Sequence, residues 1–342
     1  MKKTKLIAII SVISVIAIVI ATFFALCLIG FDFDEMKPIE NTEVTYDIVE
    51  NFNRIKIYAQ NSDIKILPSS NGECRVVIEE RKGFKYDVGA DGYEFHLHEM
   101  DMRKWYEKLE INPEKRSVTV YIPDREYIIF SIDSRMGNIN VSGGIKIVDA
   151  AIFANVGNVN FSSGIVSSLI IHTINEGSIT VSDSEVRALS AQCGKSGNVN
   201  ISNLTIKEDM TLYAGYGNIN ASDVVCNEAN VDTYMGSIML DNVIAGEKME
   251  VDAEEGSVTF NMCNAAEIVI EVLEGNVNGT LLSSKRFMVS SENGNVSVPT
   301  SDENGGKCEI KVGTGYIHGD FDMVVQQILQ SHSVLLYALL KL

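Results

Sequence analysis

Positive charge is scarce in this chain. Only 28 of its 342 residues are Lys or Arg, against 46 Asp or Glu, and the formal net charge at pH 7 is −18. Nucleic-acid binding needs a basic surface that neutralises phosphates, so we expect no nucleic-acid partner. An acidic surface instead favours cationic peptides, divalent cations or solubility alone.

Motifs of catalysis and metal binding are also missing. The six cysteines include no Cys-x-x-Cys pair, and their spacing fits neither a zinc site nor a dense disulfide framework. The sequence has no Gly-x-Ser-x-Gly elbow, no phosphate-binding loop and no His-Glu-x-x-His helix. His96 and His98 share one face of a predicted strand, which is compatible with a metal site and also with an exposed hairpin. These absences predict that the protein is not an enzyme.

The chain is instead rich in one short repeated motif, Gly-[Asn/Ser]-[Ile/Val]. In one copy a Tyr takes the place of the Asn or Ser. Its glycines recur every 19 to 21 residues, at Gly137, Gly157, Gly177, Gly197, Gly217, Gly236, Gly256, Gly275, Gly294 and Gly315. A unit of about 20 residues cannot bury a core alone and must stack on its neighbours. The period therefore predicts an all-β fold, a parallel β-solenoid (β-helix) of about 20-residue rungs.

Apolar and polar residues alternate on both sides of each glycine, which is typical of strands with one buried face. We expect the second and fourth residues after the glycine, and the fifth and third before it, to point inward. A third inward position is expected eight residues after the glycine, as at Ile145, Val225 and Ile244. The glycine itself should supply a positive φ at a corner, and the Asn that follows should form a ladder along the stack. The same alternation begins earlier in the chain, where Asp63 takes the glycine's place.

An uncharged apolar run extends from Leu6 to Gly30, behind Lys2, Lys3 and Lys5. The run is long enough to cross a bilayer as a helix, and it exceeds the apolar core of a cleaved signal peptide. We therefore expect one uncleaved N-terminal transmembrane helix, with the N-terminus in the cytosol because of the lysines. The protein is then a single-pass protein of the cell membrane, and its solenoid is extracellular.

Composition and period together divide the chain into segments. These are a cytosolic tip and anchor (1–30), a linker (31–45), first rungs (46–126) with an inserted hairpin cap (81–116), a regular solenoid (127–320) and a C-terminal helical cap (321–342). The insertion carries the only Trp, Trp105, and is expected to form a hairpin and a short helix. An atypical end unit is expected because a solenoid must protect its terminal strands from pairing with another chain.

Alignment of the rungs on their glycines brings acidic residues into register. Asp232, Asp252 and Glu271 stand four residues before successive glycines, and Glu255 and Glu274 stand one residue before. The fourth position is expected to point outward, so like charges about 5 Å apart would repel by roughly 0.8 kcal/mol per pair in water.

A cation bound along these carboxylates would offset that repulsion. Carboxylates are common ligands of Ca²⁺, and a cationic peptide would be attracted in the same way. The alternative interpretation is a solvated acidic face that Lys248 and Lys285 partly neutralise. No other cofactor is indicated.

An N-terminal anchor followed by acidic rungs such as Gly137-Asn138-Ile139-Asn140-Val141-Ser142-Gly143 resembles the bacterial putative-adhesin family. Its members are membrane-anchored β-solenoid ectodomains of unknown function, and the resemblance covers residues 46–320. It implies adhesion at the cell surface. For some relatives it also implies a link to envelope-stress signalling and to resistance against antimicrobial peptides. It implies no catalytic residues.

The sequence thus predicts a non-enzymatic, membrane-anchored, adhesin-like surface protein that senses envelope stress or binds cationic peptides. Expected partners are the membrane, cationic peptides, cell-wall or host-surface components and other envelope proteins. Two alternatives stay open, a carbohydrate-active β-helix enzyme of the polysaccharide lyase type and a purely structural spacer. Uniform rungs with minimal loops argue against the enzyme, because such enzymes need acids and bases arranged in a groove.

Overall fold

The computed structural model describes residues 2–28, 42–104, 116–297 and 307–318. The chain separates into two compact units, Met1–Thr42 and Glu43–Leu342. The first unit contains the helix α1 (Lys2–Leu28). Along α1, the side chains that the structure describes, such as those of Ile16 and Val19, are exposed.

Among the described residues, no helix has the length and apolarity that a membrane crossing requires. The transmembrane anchor and the orientation derived from it stay predictions from the sequence.

Beyond α1 the chain is built almost entirely of strands. The first seven are β1 (Thr42–Ile48), β2 (Arg54–Ala59), β3 (Ser62–Pro68), β4 (Cys74–Glu80), β5 (Phe84–Asp91), β6 (Glu94–Asp101) and β7 (Arg116–Ile122). Strands β5 and β6 form an antiparallel hairpin inside the predicted insertion, and β6 also lies parallel to β2. Strand β7 pairs in parallel with β3 and antiparallel with β4. The predicted short helix with Trp105 and the predicted cap 321–342 lie outside the described residues.

The remaining strands form the regular stack. They are β8 (Glu126–Met136), β9 (Ile139–Ser142), β10 (Lys146–Val156), β11 (Val159–Ser162), β12 (Ile165–Glu176), β13 (Ile179–Ser196), β14 (Val199–Ile206), β15 (Asp209–Tyr216), β16 (Ile219–Met235), β17 (Ile238–Glu255), β18 (Val258–Glu274), β19 (Val277–Asn293), β20 (Val296–Ser297), β21 (Lys307–Thr314) and β22 (Ile317–His318). Their pairings are parallel and step by one rung, so Ile179 faces Val199 and Val199 faces Ile219. The result is a parallel β-solenoid of about 9 turns, which confirms the predicted fold class.

The core follows the predicted alternation on both sides of the glycine. Val199 and Ile201, two and four residues after Gly197, are buried, as are Leu212 and Ala214 before Gly217. Parallel strands bring equivalent apolar side chains of successive rungs into contact, so the core is continuous along the stack.

The third inward position is predicted correctly at Ile145, which is buried, and wrongly in the rungs of Val225 and Ile244. Val225 is 48% exposed, whereas Val224 and Cys226, seven and nine residues after Gly217, are buried. The cause is a second corner six residues after the glycine, where a residue other than Gly adopts positive φ. These residues are Ser163, Asp183, Asn203, Asp223, Asn242 and Met262. A left-handed residue interrupts the alternation of the strand, so the inward positions beyond it shift by one.

The rung glycine is required for two reasons, positive φ and close approach. Gly197 has φ +144°, and a Cβ at this position would overlap the carbonyl oxygen of Gly177 in the preceding rung. Gly217 would suffer the same overlap against Gly197, although its φ lies outside the left-handed range. Any side chain here would push two rungs apart.

The predicted Asn ladder is present, and its bonds run from backbone to side chain. The backbone N–H of Asn218 donates to Oδ1 of Asn198 at 2.8 Å, and the N–H of Asn198 donates to Oγ of Ser178 at 3.0 Å. Asp63 begins the ladder, accepting from the N–H of Asn138 at 2.7 Å. Asp63 therefore takes the place of the ladder Asn, not of the glycine as predicted. The ladder makes these amides architectural, because each satisfies a backbone group of the next rung.

A buried polar cluster ties the hairpin to the stack. The guanidinium of Arg116 donates to Glu99 of β6 and to Oη of Tyr86 at 3.0 Å, and it lies over the ring of Phe84. Glu99 also accepts from the backbone N–H of Gln60 at 2.8 Å. Arg116 and Glu99 are 1% and 0% exposed, so neither charge is solvated if its partner is lost.

Candidate functional site

The strand segment that precedes each rung glycine presents side chains outward in columns along the stack. We call the column that stands four or five residues before the glycine the outward column. In order along the stack it comprises His98, Tyr58, Asp133, Phe153, His172, Gln192, Tyr213, Asp232, Asp252, Glu271 and Ser290. Neighbours in this column stand on paired parallel strands, which lie about 4.8 Å apart.

The three acidic residues predicted to share a column do so. Asp232 of β16 pairs with Asp252 of β17, and Asp252 pairs with Glu271 of β18. We call these three residues the acidic stripe. The two flanking acids occupy the corner beside it, where Glu255 pairs with Glu274 and both are exposed.

Burial and neighbouring carboxylates shift the pKa values of Asp232 and Asp252 in the same direction. Partial burial, followed by the charges of Asp252 and Glu254, raises the pKa of Asp232. Partial burial, followed by the charges of Glu254 and Glu250, raises the pKa of Asp252. The ionised stripe is therefore under electrostatic strain that a nearby cation would relieve.

The predicted neutralisation by lysine is not what the structure shows for Lys248. Its ammonium lies 2.7 Å from a carboxylate oxygen of Glu250, outside the outward column. On the neighbouring rungs Arg286 lies 3.0 Å from Glu267, which is also outside the column. The side chain of Lys285 lies outside the described residues.

Metal ligation receives no support from the described part of the chain. Within it, no group of three or more His, Cys, Asp or Glu side chains is arranged to hold a metal ion. His96 and His98 lie on β6 opposite Lys56 and Tyr58 of β2. Calcium binding by the acidic stripe stays a prediction, and the described residues give it no geometric basis.

Sequence reasoning missed the other half of the outward column, which is rich in rings. Phe153 and His172 pack edge to face with centroids 6.3 Å apart, and Tyr58 and His98 do so at 5.0 Å. The rungs that end at Gly177 and Gly197 carry an extra residue at a bulge before the glycine. Their column members therefore stand five residues before the glycine. In these two rungs the residues four positions before the glycine are Thr173 and Cys193, and both point inward and are buried.

The family model described as Toastrack DUF4097 matches residues 52–223 and 205–333. No curated protein matches the chain.

Three solved structures are similar over most of their length. A putative lipid binding protein from Parabacteroides distasonis ATCC 8503 is 13% identical, covers 85% of this chain and 97% of its own, and has a TM-score of 0.32. A putative adhesin from Bacteroides fragilis NCTC 9343 is 15% identical, with coverage of 84% and 97% and a TM-score of 0.31. A putative adhesin from Parabacteroides merdae ATCC 43184 is 13% identical, with coverage of 85% and 97% and a TM-score of 0.28.

Identities and TM-scores this low carry no information about function. The match of the family model does identify the family, because it extends over well more than half of the sequence. It confirms the resemblance noted from the Gly-Asn-Ile rungs. This chain belongs to the Toastrack DUF4097 family.

Proposed function

We propose that this protein is a non-enzymatic, adhesin-like β-solenoid of the cell surface whose acidic stripe binds cationic peptides. The observation that carries the proposal is the register of Asp232, Asp252 and Glu271 on three paired strands. The apolar run from Leu6 to Gly30 supplies the membrane anchor in this proposal.

Charge complementarity supports a cationic partner over a neutral or anionic one. The chain carries a formal net charge of −18, so a cationic peptide is steered towards it from any direction. At the stripe, the raised pKa values of Asp232 and Asp252 mean that an arriving cation also relieves local repulsion. Envelope-stress sensing would follow from the same contact, if a bound peptide is the signal.

Peptide titration calorimetry tests the stripe directly. The variant Asp232→Asn with Asp252→Asn removes two charges, each worth about 0.8 kcal/mol in water to a cation 5 Å away. We therefore expect an affinity for an oligolysine peptide at least about tenfold weaker at low ionic strength. The effect should shrink in high salt, because salt screens exposed charges.

A matched control separates the stripe from net charge. Glu126→Gln with Glu185→Gln changes the net charge by the same amount at exposed positions outside the outward column. This control should lose little affinity. Equal losses in the two double variants would show that the peptide senses only the total charge, and the stripe would not be a site.

The enzymatic alternative is tested separately. Incubation of the protein with pectate, alginate and hyaluronate should release no unsaturated or reducing ends. Release of such ends would overturn the non-enzymatic assignment.

A further inference from the structure

Four members of the outward column, with the four outward residues that stand two positions before them, form a surface distinct from the acidic stripe. We call this surface the aromatic strip, and it lies on the paired strands β10, β12, β13 and β15. One column holds Phe153, His172, Gln192 and Tyr213, and the other holds Ala151, Ile170, Ser190 and Thr211.

We propose that the aromatic strip binds a neutral, linear β-1,4-linked glycan. The inference rests on the proposed function only in treating the solenoid as a non-enzymatic binding surface. It adds a ligand class and a site that the acidic stripe does not share.

The strip lacks formal charge, although the chain is strongly acidic. Counted with neutral His, its eight side chains include no carboxylate, ammonium or guanidinium group, whereas the whole chain carries −18. Charged residues flank the strip in the same column on both sides, at Asp133 beside Phe153 and at Asp232 beside Tyr213. Charge therefore does not select a ligand here, and the acidic surroundings repel polyanions.

The chemistry of the side chains matches that of a pyranose chain. The rings of Phe153 and Tyr213 are half-buried. An aromatic ring has an apolar face. Ile170 adds an apolar side chain that is 43% exposed. Between the rings, Gln192 provides an amide that acts as both donor and acceptor. A sugar ring offers the same combination, apolar C–H faces and hydroxyl edges.

The amide of Gln192 is held in place on the strip. Its Nε2 donates to Oγ of Ser190 at 3.3 Å, across the two columns. This contact uses one amide hydrogen, so the other amide hydrogen and the amide oxygen can still bond a ligand. A group held by a neighbour loses less conformational freedom when it binds a ligand.

The spacing of the strip suits a polymer. Paired strands lie about 4.8 Å apart, which is close to the length of one sugar residue in an extended β-1,4-linked chain. Successive sugars along the stack then meet successive side chains of the column. Each contact is weak, so affinity accumulates with chain length.

The area of the strip argues against a protein partner. Four strands at about 4.8 Å and two outward columns give a surface of about 19 Å by 14 Å, or about 270 Å². A stable protein interface buries about 800 Å² on each partner. A chain one sugar wide needs no larger surface than the strip offers.

Calorimetric titration with cellohexaose and chitohexaose tests the inference on the full chain, kept in a detergent without a sugar headgroup. The two hexasaccharides share the linkage, and only chitohexaose carries acetamido groups. We expect the wild type to bind at least one of them, and to bind the corresponding disaccharide much more weakly. Failure of the wild type to bind either hexasaccharide would overturn the inference.

Removal of the rings should weaken glycan binding. For Phe153→Ala with Tyr213→Ala we expect about a tenfold loss of affinity, since both aromatic surfaces of the strip are removed. The matched control is Met239→Ala with Met262→Ala, which removes two side chains that are 50% and 45% exposed outside the outward column. The control should bind as the wild type does. Unchanged binding by the ring variant would contradict the proposal.

A third variant covers the case in which the ring variant fails to fold. Gln192→Glu keeps the shape of the side chain and places a charge in the strip, so it should also bind the hexasaccharide more weakly. Wild-type binding by Gln192→Glu and by a folded ring variant would locate the glycan elsewhere.

Titration of the same proteins with oligolysine separates this inference from the proposed function. The ring variant should keep its affinity for the peptide, and Asp232→Asn with Asp252→Asn should keep its affinity for the glycan. Loss of both ligands in both variants would contradict two separate sites.

Discussion

Alanine at three glycines should separate the two reasons why the rungs need glycine. Gly92 has φ +63°, and no atom lies within 4 Å of the place that a Cβ would take, so alanine there meets backbone strain alone. Gly217 lies outside the left-handed range of φ, but a Cβ would overlap the carbonyl oxygen of Gly197. Gly197 combines both conditions, with φ +144° and an overlap with Gly177.

The magnitudes follow from these two terms. A left-handed conformation costs an alanine about 1–2 kcal/mol. An added methyl group in a packed site that cannot relax costs about 1–3 kcal/mol. The loss of stability should therefore be about 1–2 kcal/mol at Gly92, about 1–3 kcal/mol at Gly217 and about 2–5 kcal/mol at Gly197. Alanine also restricts the unfolded chain, which offsets about 0.4–1 kcal/mol in all three variants equally.

Urea unfolding measures the three losses, with the slope of the transition checked for each variant. The expected order of destabilisation is Gly197→Ala largest and Gly92→Ala smallest. A Gly217→Ala protein as stable as Gly92→Ala would refute the argument from close approach. A Gly197→Ala protein at least as stable as Gly217→Ala would refute the argument from φ.

Three further predictions concern the ladder, the buried cluster and the acidic stripe. Asn198→Ala removes the acceptor of the Asn218 N–H and should cost about 1 kcal/mol in urea unfolding, whereas Asn198→Asp should cost less because it keeps an acceptor. Arg116→Met leaves the buried Glu99 unpaired and should cost about 3–5 kcal/mol, part of which Glu99→Leu in the same chain should restore. Burial and nearby carboxylates raise the folded-state pKa of Asp232 and Asp252, so their ionised forms weaken the fold above those pKa values. Asp232→Asn with Asp252→Asn should therefore raise the thermal midpoint at pH 7, and this gain should vanish as the pH falls to 3, below the ordinary Asp pKa.

Much of the fold could be predicted because stacking imposes a period on the sequence. Every rung repeats the same inward positions, so residues such as Val199 and Leu212 follow from alternation around the glycine. The acidic stripe followed in the same way, since its rungs have equal spacing before the glycine.

What could not be predicted depends on local backbone irregularities. The left-handed corner residues, such as Asn203 and Asp223, belong to types that adopt this conformation more easily, but Met262 does so as well. Because these residues shift the inward positions of the following strand by one, Val225 is exposed and not part of the core. Bulges in two rungs place His172 and Gln192 five residues before the glycine, so an alignment that expects the column four residues before it misses them.

The buried cluster was missed for a different reason. Arg116 and Glu99 are 17 residues apart, and their contact depends on how the hairpin of β5 and β6 lies beside β2. No periodic pattern marks a pairing that occurs once. The contacts of Arg116 with Glu99, Tyr86 and Phe84 become apparent only in the three-dimensional structure.

The central claim is that each glycine motif marks one turn of a parallel stack in register. Pulsed spin-label distance measurements test it most directly, in a chain with Cys27 and Cys308 replaced by Ser; Cys74, Cys193, Cys226 and Cys263 are buried. One label is placed at Asn140 and the second at Met239 or Asn278, which lie in the same column. Five and seven strand spacings predict backbone separations of about 24 Å and 34 Å. A mean distance that lengthens by about 10 Å between the two pairs agrees with the stack, and equal distances would contradict it.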